Sequence, residues 1–518
     1  MPHRCVMPLL AEVARPITIR PMPVTDHAAK PRHPTHEPAP SRSWLRKWFI
    51  AVLFVGCITH GAALAWIRSP ASPDAAEYLE LGRSLSVNGE LVLPTGDRAK
   101  RMPAYPALVA IVQRLPGDAN LERGMLVVQA VLALCTTLML ATIARHLASP
   151  LAGVVAGLTS AFYGPFVYLQ TLCLTETLLI FLFTTALLIY ARRIRCADHL
   201  AHRLRHVDHL IIGLLLAIAA LTRANAAILI IPFIIDVLLK PESWTRRLKH
   251  ALALSLPTIL CLTLWGLRNS REIGAFTLST TGGLNFYLGH NPDYAADPGL
   301  GRADYTVFDR LRAQGRSEIE ANRQLTRAAK AWAADHPGEV AMNLLRKLAV
   351  YHSSTLKESA PTLVLILFAT IVIACRPKTL VAPTNVAPTI SRCIPEGTER
   401  PPNGTLRPRR IYNLARLACA ITALCWLILL QVTLLPWINP TYLVPIGLLA
   451  MLFLPRAHGL RRLFISLYLA ELVVALAFIP LVRLRWTIDG LLIIAIAVAV
   501  ARLCEWLKSP SPRGRGSG

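Results

Sequence analysis

Neither of the two long polar stretches of this chain, 68–124 and 268–360, contains a cysteine. Most of the eleven cysteines sit inside apolar runs, and no two are spaced C-x-x-C. That excludes a disulfide framework and a cysteine metal site in the polar parts. Charge is also scarce. Only 16% of the 518 residues are Asp, Glu, Lys or Arg, against roughly 25% in a soluble domain. The start of the chain lacks a cleavable signal pattern, and its first 47 residues lack any apolar core. They are Pro-, His- and Arg-rich and read as a disordered basic tail on the cytoplasmic side. No two-half repeat is visible, and no His/Asp/Glu cluster with ligand spacing stands in the long polar stretches.

What is abundant is apolar sequence. The chain is 54% hydrophobic with a mean hydropathy of +0.46. Runs near the length needed to cross a bilayer recur throughout, so the chain reads as an all-α polytopic membrane protein. The candidates are Trp48–Ile67, Met125–Leu147, Leu151–Leu169, Leu172–Tyr190, Leu210–Leu239, Ala251–Leu267, Pro361–Cys375, Leu414–Leu435, Tyr442–Leu454, Leu463–Pro480 and Ile488–Leu503. The first is taken to stay as an anchor. The run Leu210–Leu239 is basic on both flanks, which places both flanks on one side of the membrane. At 30 residues it would be ~45 Å long as one helix, too long for a ~30 Å core. It is expected to break near Thr222–Asn225 into two short helices, with the junction recessed in the membrane. That makes about twelve crossings with both termini inside.

The formal charge of +25 is distributed along this topology. The expected inner segments (the tail, 191–209, 240–250, 376–413, 456–462 and the end from Arg502) each carry a net charge between +3 and +5. The outer loops nearly balance, with seven basic and seven acidic residues in 68–124 and twelve against ten in 268–360. This is the positive-inside pattern. It accounts for the basicity through anionic lipids at the inner face, with no nucleic acid as partner. Residues 506–518 read as a second disordered basic tail.

The candidate chemistry collects on the outer side. If a helix opens at Asp74, then Asp74, Glu77 and Tyr78 share one face of it. The competing reading is a solvated amphipathic helix with Asp74 as its N-cap. Glu176 lies near the outer end of its helix, Arg223 and Asn225 at the expected break, and Arg268 and Asn269 at the outer end of the next helix. Arg483 and Arg485 fall in LVRLRWTID, read as the last outer turn. An arginine alone at such a place can simply snorkel. A recessed one, such as Arg223, usually faces a cavity and a partner. Farther along, Ser317-Glu-Ile-Glu320 forms a capping box for a helix to about Asp335, and Pro337 opens an amphipathic helix expected on the membrane surface.

Seven stretches stand in order across roughly residues 45–505: PDAAEYLELGRSL, RMPAYPALVA, LTETLLIFL, LTRANAAILIIP, LWGLRNSREIGAF with TTGGLNFYLGHNP, AADHPGEVAMNLLRKL and RLRWTIDGLL. Together they resemble the GT-C glycosyltransferases that use polyprenyl-phosphate sugars, in the branch of protein O-mannosyltransferases and the lipid A aminoarabinose transferase. The resemblance implies a GT-C-like bundle over 48–505 with outer-face juxtamembrane helices and loops. It implies a polyprenyl-phosphate sugar donor, a glycan, lipid or protein acceptor, and a bacterial inner (plasma) membrane as the setting.

The resemblance also implies that the first-loop acid, here Asp74, is catalytic, with Glu77 the second candidate. It implies that Arg223, Arg483 and Arg485 serve the lipid phosphate. Tyr78, Arg101, Tyr105, Glu176, Asn225, Arg268 and Asn269 complete the candidate substrate contacts. The chain departs from the pattern where many relatives have adjacent acids, since Ala75 follows Asp74, and where Ala224, Thr487 and Gly490 replace a frequent proline. No cofactor is required by this chemistry, with a divalent metal left open and no metal ligands assigned. Two other readings compete: an envelope polysaccharide polymerase or ligase, and a secondary transporter.

Overall fold

The computed structural model describes residues 42–66, 72–115, 121–195, 205–296, 304–352, 443–454, 459–478 and 482–508. The expected spans Pro361–Cys375 and Leu414–Leu435, the loop 376–413, nearly all of the N-terminal tail and residues 509–518 lie outside them. Contacts gather 46–518 into one unit, and the description concerns that unit.

Among the described residues the regular structure is helical. The apolar helices are α1 (Arg42–Trp66), α4 (Leu121–Leu147), α5 (Pro150–Ala161), α7 (Glu176–Arg195), α8 (Arg205–Thr222), α9 (Ile230–Leu238), α10 (Trp244–Ile273), α16 (Leu443–Met451), α17 (Leu460–Ala477) and α18 (Val482–Lys508). Four described helices are long and apolar enough to cross a membrane: in α1, α4, α10 and α18. The chain is an integral membrane protein, and the described part does not reach the expected count of twelve. The polar stretches fold into short helices: α2 (Pro73–Asn88), α3 (Ala104–Gln113), α11 (Gly282–Leu288), α12 (Pro292–Ala296), α13 (Val307–Ala313), α14 (Glu318–Asp335) and α15 (Pro337–Tyr351).

Burial separates the centre from the rim. α18 is the central element, packed against α4, α5, α7 and α16, with Ile488 and Leu491–Val498 almost wholly buried. α10 instead exposes Leu252, Leu256, Ile259, Leu260 and Leu264 along one face. An uncovered apolar stripe of that length faces lipid. Its other face packs on α8, where Gly213 lets the helices close. A Cβ there would sit 2.3 Å from the Leu254 carbonyl oxygen.

Several expected spans are revised. Leu151–Leu169 is not one helix: α5 stops at Ala161 and a short α6 (Gly164–Leu169) follows. Pro165 near the new start has no N–H to continue the first helix. The span expected from Leu172 begins as a helix only at Glu176. The break in Leu210–Leu239 lies where expected, but its halves are unequal. α8 has 18 residues and ends at Thr222, Arg223 is extended (φ −153°, ψ 120°), and a 3-10 segment, Ala224–Leu229, leads into the nine-residue α9. The stretch LVRLRWTID is no turn, because α18 is helical from Val482 onward.

Candidate active site

α2 carries the first acids. Ser72 is its N-cap in extended backbone, Pro73 occupies the first turn and Asp74 follows, so Asp74 is not the cap. Gly89, with φ 72°, ends the helix by donating its N–H to the Leu85 carbonyl. α2 lies directly on α3. A Cβ on Gly82 would fall 2.2 Å from a Val109 methyl group, which forces glycine at that contact. Tyr78 and Tyr105 meet there edge to face, with centroids 5.2 Å apart, and the Arg101 guanidinium lies 5.1 Å from the Tyr78 ring centroid.

Four chain segments then bring their charges together. Arg101 donates from Nε to Glu77 at 2.6 Å and from Nη2 to Asp74 Oδ1 at 2.5 Å. Lys100 pairs with the other Glu77 oxygen at 2.8 Å and with Asp309 at 2.7 Å. From α18, Arg483 Nη2 donates to Asp74 Oδ2 at 3.2 Å, and its Nε stands 3.6 Å from Glu176 Oε1. The same Glu176 oxygen accepts from Arg223 Nη1 at 2.6 Å. Lys100, Glu77, Arg101, Asp74, Arg483, Glu176 and Arg223 therefore form one chain of alternating charge, drawn from the first loop, α7, the α8–α9 break and α18.

Local structure explains each placement. Glu176 is the first residue of α7, where the helix dipole favours a carboxylate. Arg223 leaves the helix at the break, which turns its side chain to Glu176. Burial opposes ionisation of Asp74, but Arg101 and Arg483 outweigh it and hold the carboxyl at about 2. Burial raises the phenol of Tyr78. Within this cluster two buried polar atoms have no hydrogen-bond partner among the described residues: Arg483 Nε, which has only the 3.6 Å ion-pair contact with Glu176, and the Tyr105 hydroxyl. Unpaired buried donors are costly, so a site that retains them has capacity for a ligand.

The other expected contacts lie elsewhere. Arg268 donates to the backbone carbonyls of Arg98 at 2.6 Å and Leu91 at 3.4 Å. Asn269, fully buried, donates to the Thr277 carbonyl at 2.7 Å. Both shape the loop backbone rather than joining the ion-pair chain. Arg485 is fully buried, paired at 3.1 Å with Asp489 one turn on, and donates to the Tyr351 carbonyl at 2.9 Å. Asp489 also accepts from the Tyr163 hydroxyl at 2.5 Å. Arg483 and Arg485, expected together, thus face different surroundings. Asn225 is half-buried two residues beyond Arg223.

Sequence reasoning missed Lys100, although it adjoins Arg101, and Asp489, although it stands in a quoted motif. It also missed Glu471, a buried carboxylate in α17 whose Oε2 has no hydrogen-bond partner among the described residues. A single acid in an otherwise apolar run was the available signal. Among the described residues no group of three or more His, Cys, Asp or Glu is arranged to hold a metal ion.

Residues 100–265 match the family model of the dolichyl-phosphate-mannose-protein mannosyltransferases. RMPAYPALVA, LTETLLIFL and LTRANAAILIIP all fall within that segment. No curated protein matches the chain. Among solved structures, the chain is similar to the oligosaccharyltransferase of Archaeoglobus fulgidus in its apo form, with 12% identity and a TM-score of 0.46, over 88% of this chain and 50% of that one. It is similar to AglB from Archaeoglobus fulgidus in complex with an inhibitory peptide and a dolichol-phosphate, with 14% identity and a TM-score of 0.41 over the same 88% and 50%. It is similar to ArnT from Cupriavidus metallidurans bound to undecaprenyl phosphate, with 14% identity and a TM-score of 0.37, over 90% of this chain and 78% of that one. The chain spans half the length of the archaeal structures it matches.

Proposed function

We propose that this chain is a membrane glycosyltransferase that moves a sugar from a polyprenyl-phosphate carrier to an acceptor at the outer face. The observation that carries the reading is Arg483, which bridges Asp74 and Glu176 while Glu176 also holds Arg223. Two arginines and a candidate base thereby share one cluster. The family match over 100–265 supports the same donor class.

In the proposed reaction the carrier phosphate takes guanidinium N–H groups of Arg223 and Arg483. Arginine suits this because its planar fork binds two phosphate oxygens at once. A polyprenyl phosphate is a good leaving group once its charge is stabilised, so a general acid matters less than the arginines. The acceptor hydroxyl attacks the anomeric carbon, the bond to the phosphate oxygen breaks, and the hydroxyl proton passes to Asp74. Direct attack inverts the anomeric configuration.

A carboxyl held at about 2 is a weak base. Phosphate bound to Arg483 would withdraw that cation from Asp74 and strengthen the base when the donor arrives. Both carboxylates have both oxygens paired, but Asp74 shares Arg483 with the proposed phosphate site. Donor binding would free its Oδ2, whereas Lys100 and Arg101 would stay on Glu77; this favours Asp74 over Glu77 for the role. The acceptor is a glycan, lipid or protein, the basic inner segments face anionic lipid with both termini in the cytoplasm, and the setting is an inner (plasma) membrane.

The test is to supply the full-length protein in proteoliposomes with a panel of labelled polyprenyl-phosphate sugars and envelope acceptors. One donor should lose its label to an acceptor and leave free polyprenyl phosphate. Retention of label by every donor would defeat the reading.

A further inference from the structure

Arg101 touches both candidate carboxylates, Asp74 and Glu77. The backbone that precedes it is held from outside. Glu318, the first residue of α14 and buried, accepts from the Arg98 N–H through Oε1 at 3.0 Å and from the Ala99 N–H through Oε2 at 3.2 Å. The Thr280 hydroxyl donates to the same Oε2 at 2.9 Å. Two successive backbone N–H groups turned to one anion form a nest, and here the anion is a side chain from the other long outer loop. The carbonyls are held as well. Arg98 O accepts from Arg268 at 2.6 Å, Ala99 O from the Thr280 N–H at 3.0 Å and Lys100 O from the Ser279 hydroxyl at 3.0 Å. The loop has almost no freedom left when it reaches Lys100 and Arg101, whose side chains then run to Glu77 and Asp74.

We propose that Glu318 is a positioning residue for the candidate site: its carboxylate fixes the backbone at 98–99 and so sets the reach of Arg101 to Asp74 and Glu77. The proposal rests on the glycosyltransferase reading and adds to it a residue of the long outer loop. That loop then does more than cover the acceptor, because its acid holds the cation that tunes the base. A displacement of about 1 Å at a reacting group can cost roughly 10²-fold in rate, so a clamp of this kind has leverage on the chemistry.

The test needs no donor. Water-soluble carbodiimide modifies protonated carboxyls, and Arg101 keeps Asp74 ionised. At pH 4 the full-length protein should be labelled little at Asp74, and Arg101→Ala heavily. Glu318→Gln keeps the size but leaves one N–H facing an amide. It should raise labelling of Asp74 roughly tenfold, as expected if the carboxyl returns toward its ordinary range. The double variant Glu318→Gln/Arg101→Ala should label no more than Arg101→Ala alone, because Glu318 acts through Arg101. If Glu318→Gln does not fold, Thr280→Val, which removes one of the three donors, decides by a rise of a few fold. Parent-like labelling in the folded Glu318→Gln protein, or in Thr280→Val where that decides, overturns the proposal. Additive labelling in the double variant does the same. A parent protein that transfers no sugar defeats the functional reading on its own, so the two failures are distinct.

Discussion

Arg223 and Arg483 could be replaced by lysine in charge but not in shape. Each reaches a carboxylate from a different helix, and Arg483 spans two of them, Asp74 at 3.2 Å and Glu176 at 3.6 Å. An ammonium is a point charge and lacks the planar fork that gives two parallel N–H bonds to one phosphate. Arg223→Lys should weaken polyprenyl-phosphate binding by roughly tenfold, which is ~1.4 kcal/mol, with the protein still inserted and folded. Titration of the purified variant with the lipid phosphate checks this, and parent-like affinity would make Arg223 a snorkelling side chain. At this scale much was legible before any coordinates. Helical spacing placed Asp74, Glu77 and Tyr78 on one face, and charge placed Glu176, Arg223 and Arg483 on the same side of the membrane. What residue spacing could not reveal was partnership. Lys100 and Arg101 meet Glu77 and Asp74 only once the first loop has folded back on α2. Lys100 with Asp309, and Glu318 with residues 98–99, meet only after loops far apart in sequence have packed.

Among the elements, α18 shows how one local misreading moves a residue out of the site. Read as a turn, LVRLRWTID offers both arginines to the outside. As a helix it sends Arg485 to Asp489, four residues on, and Arg483 to another face. The buried pair ties α18 to the end of α15 through the Tyr351 carbonyl and to the α5–α6 junction through Tyr163. Breaking a buried pair from one side strands a charge, at roughly 3–5 kcal/mol, whereas removing both partners is far milder. Arg485→Met should therefore lower thermal stability in detergent strongly, and Arg485→Met/Asp489→Leu should recover a large part of the loss. Equal destabilisation by the single and double variants would contradict this account of the pair. The break after Thr222 was legible because length and flanking charge left few alternatives. The break between α5 and α6 was missed because hydropathy continues across Phe162–Tyr163, and only Gly164-Pro165 marked it.

For the whole molecule, the all-helical class followed from hydropathy, and the uncovered apolar face of α10 agrees with it. The proposed orientation rests on the charge of the loops, which would put 376–413 inside and 268–360 outside. A reporter fused near Thr398 should be active only as a cytoplasmic reporter, and one fused near Gln314 only as an exported one. Swapped activities would separate the candidate site from the outer face. The central claim is that the ion-pair chain around Asp74 is a sugar-transfer site, and single-turnover transfer tests it most directly. The measurement uses the labelled donor with purified parent, Asp74→Asn and Glu77→Gln proteins, with donor binding followed in parallel. Asp74→Asn should bind the donor yet transfer roughly 10²–10⁴-fold more slowly, with a smaller loss in Glu77→Gln. Parent-like transfer by Asp74→Asn would contradict the account, and if Glu77→Gln alone lost activity the base would lie one helical turn farther along α2.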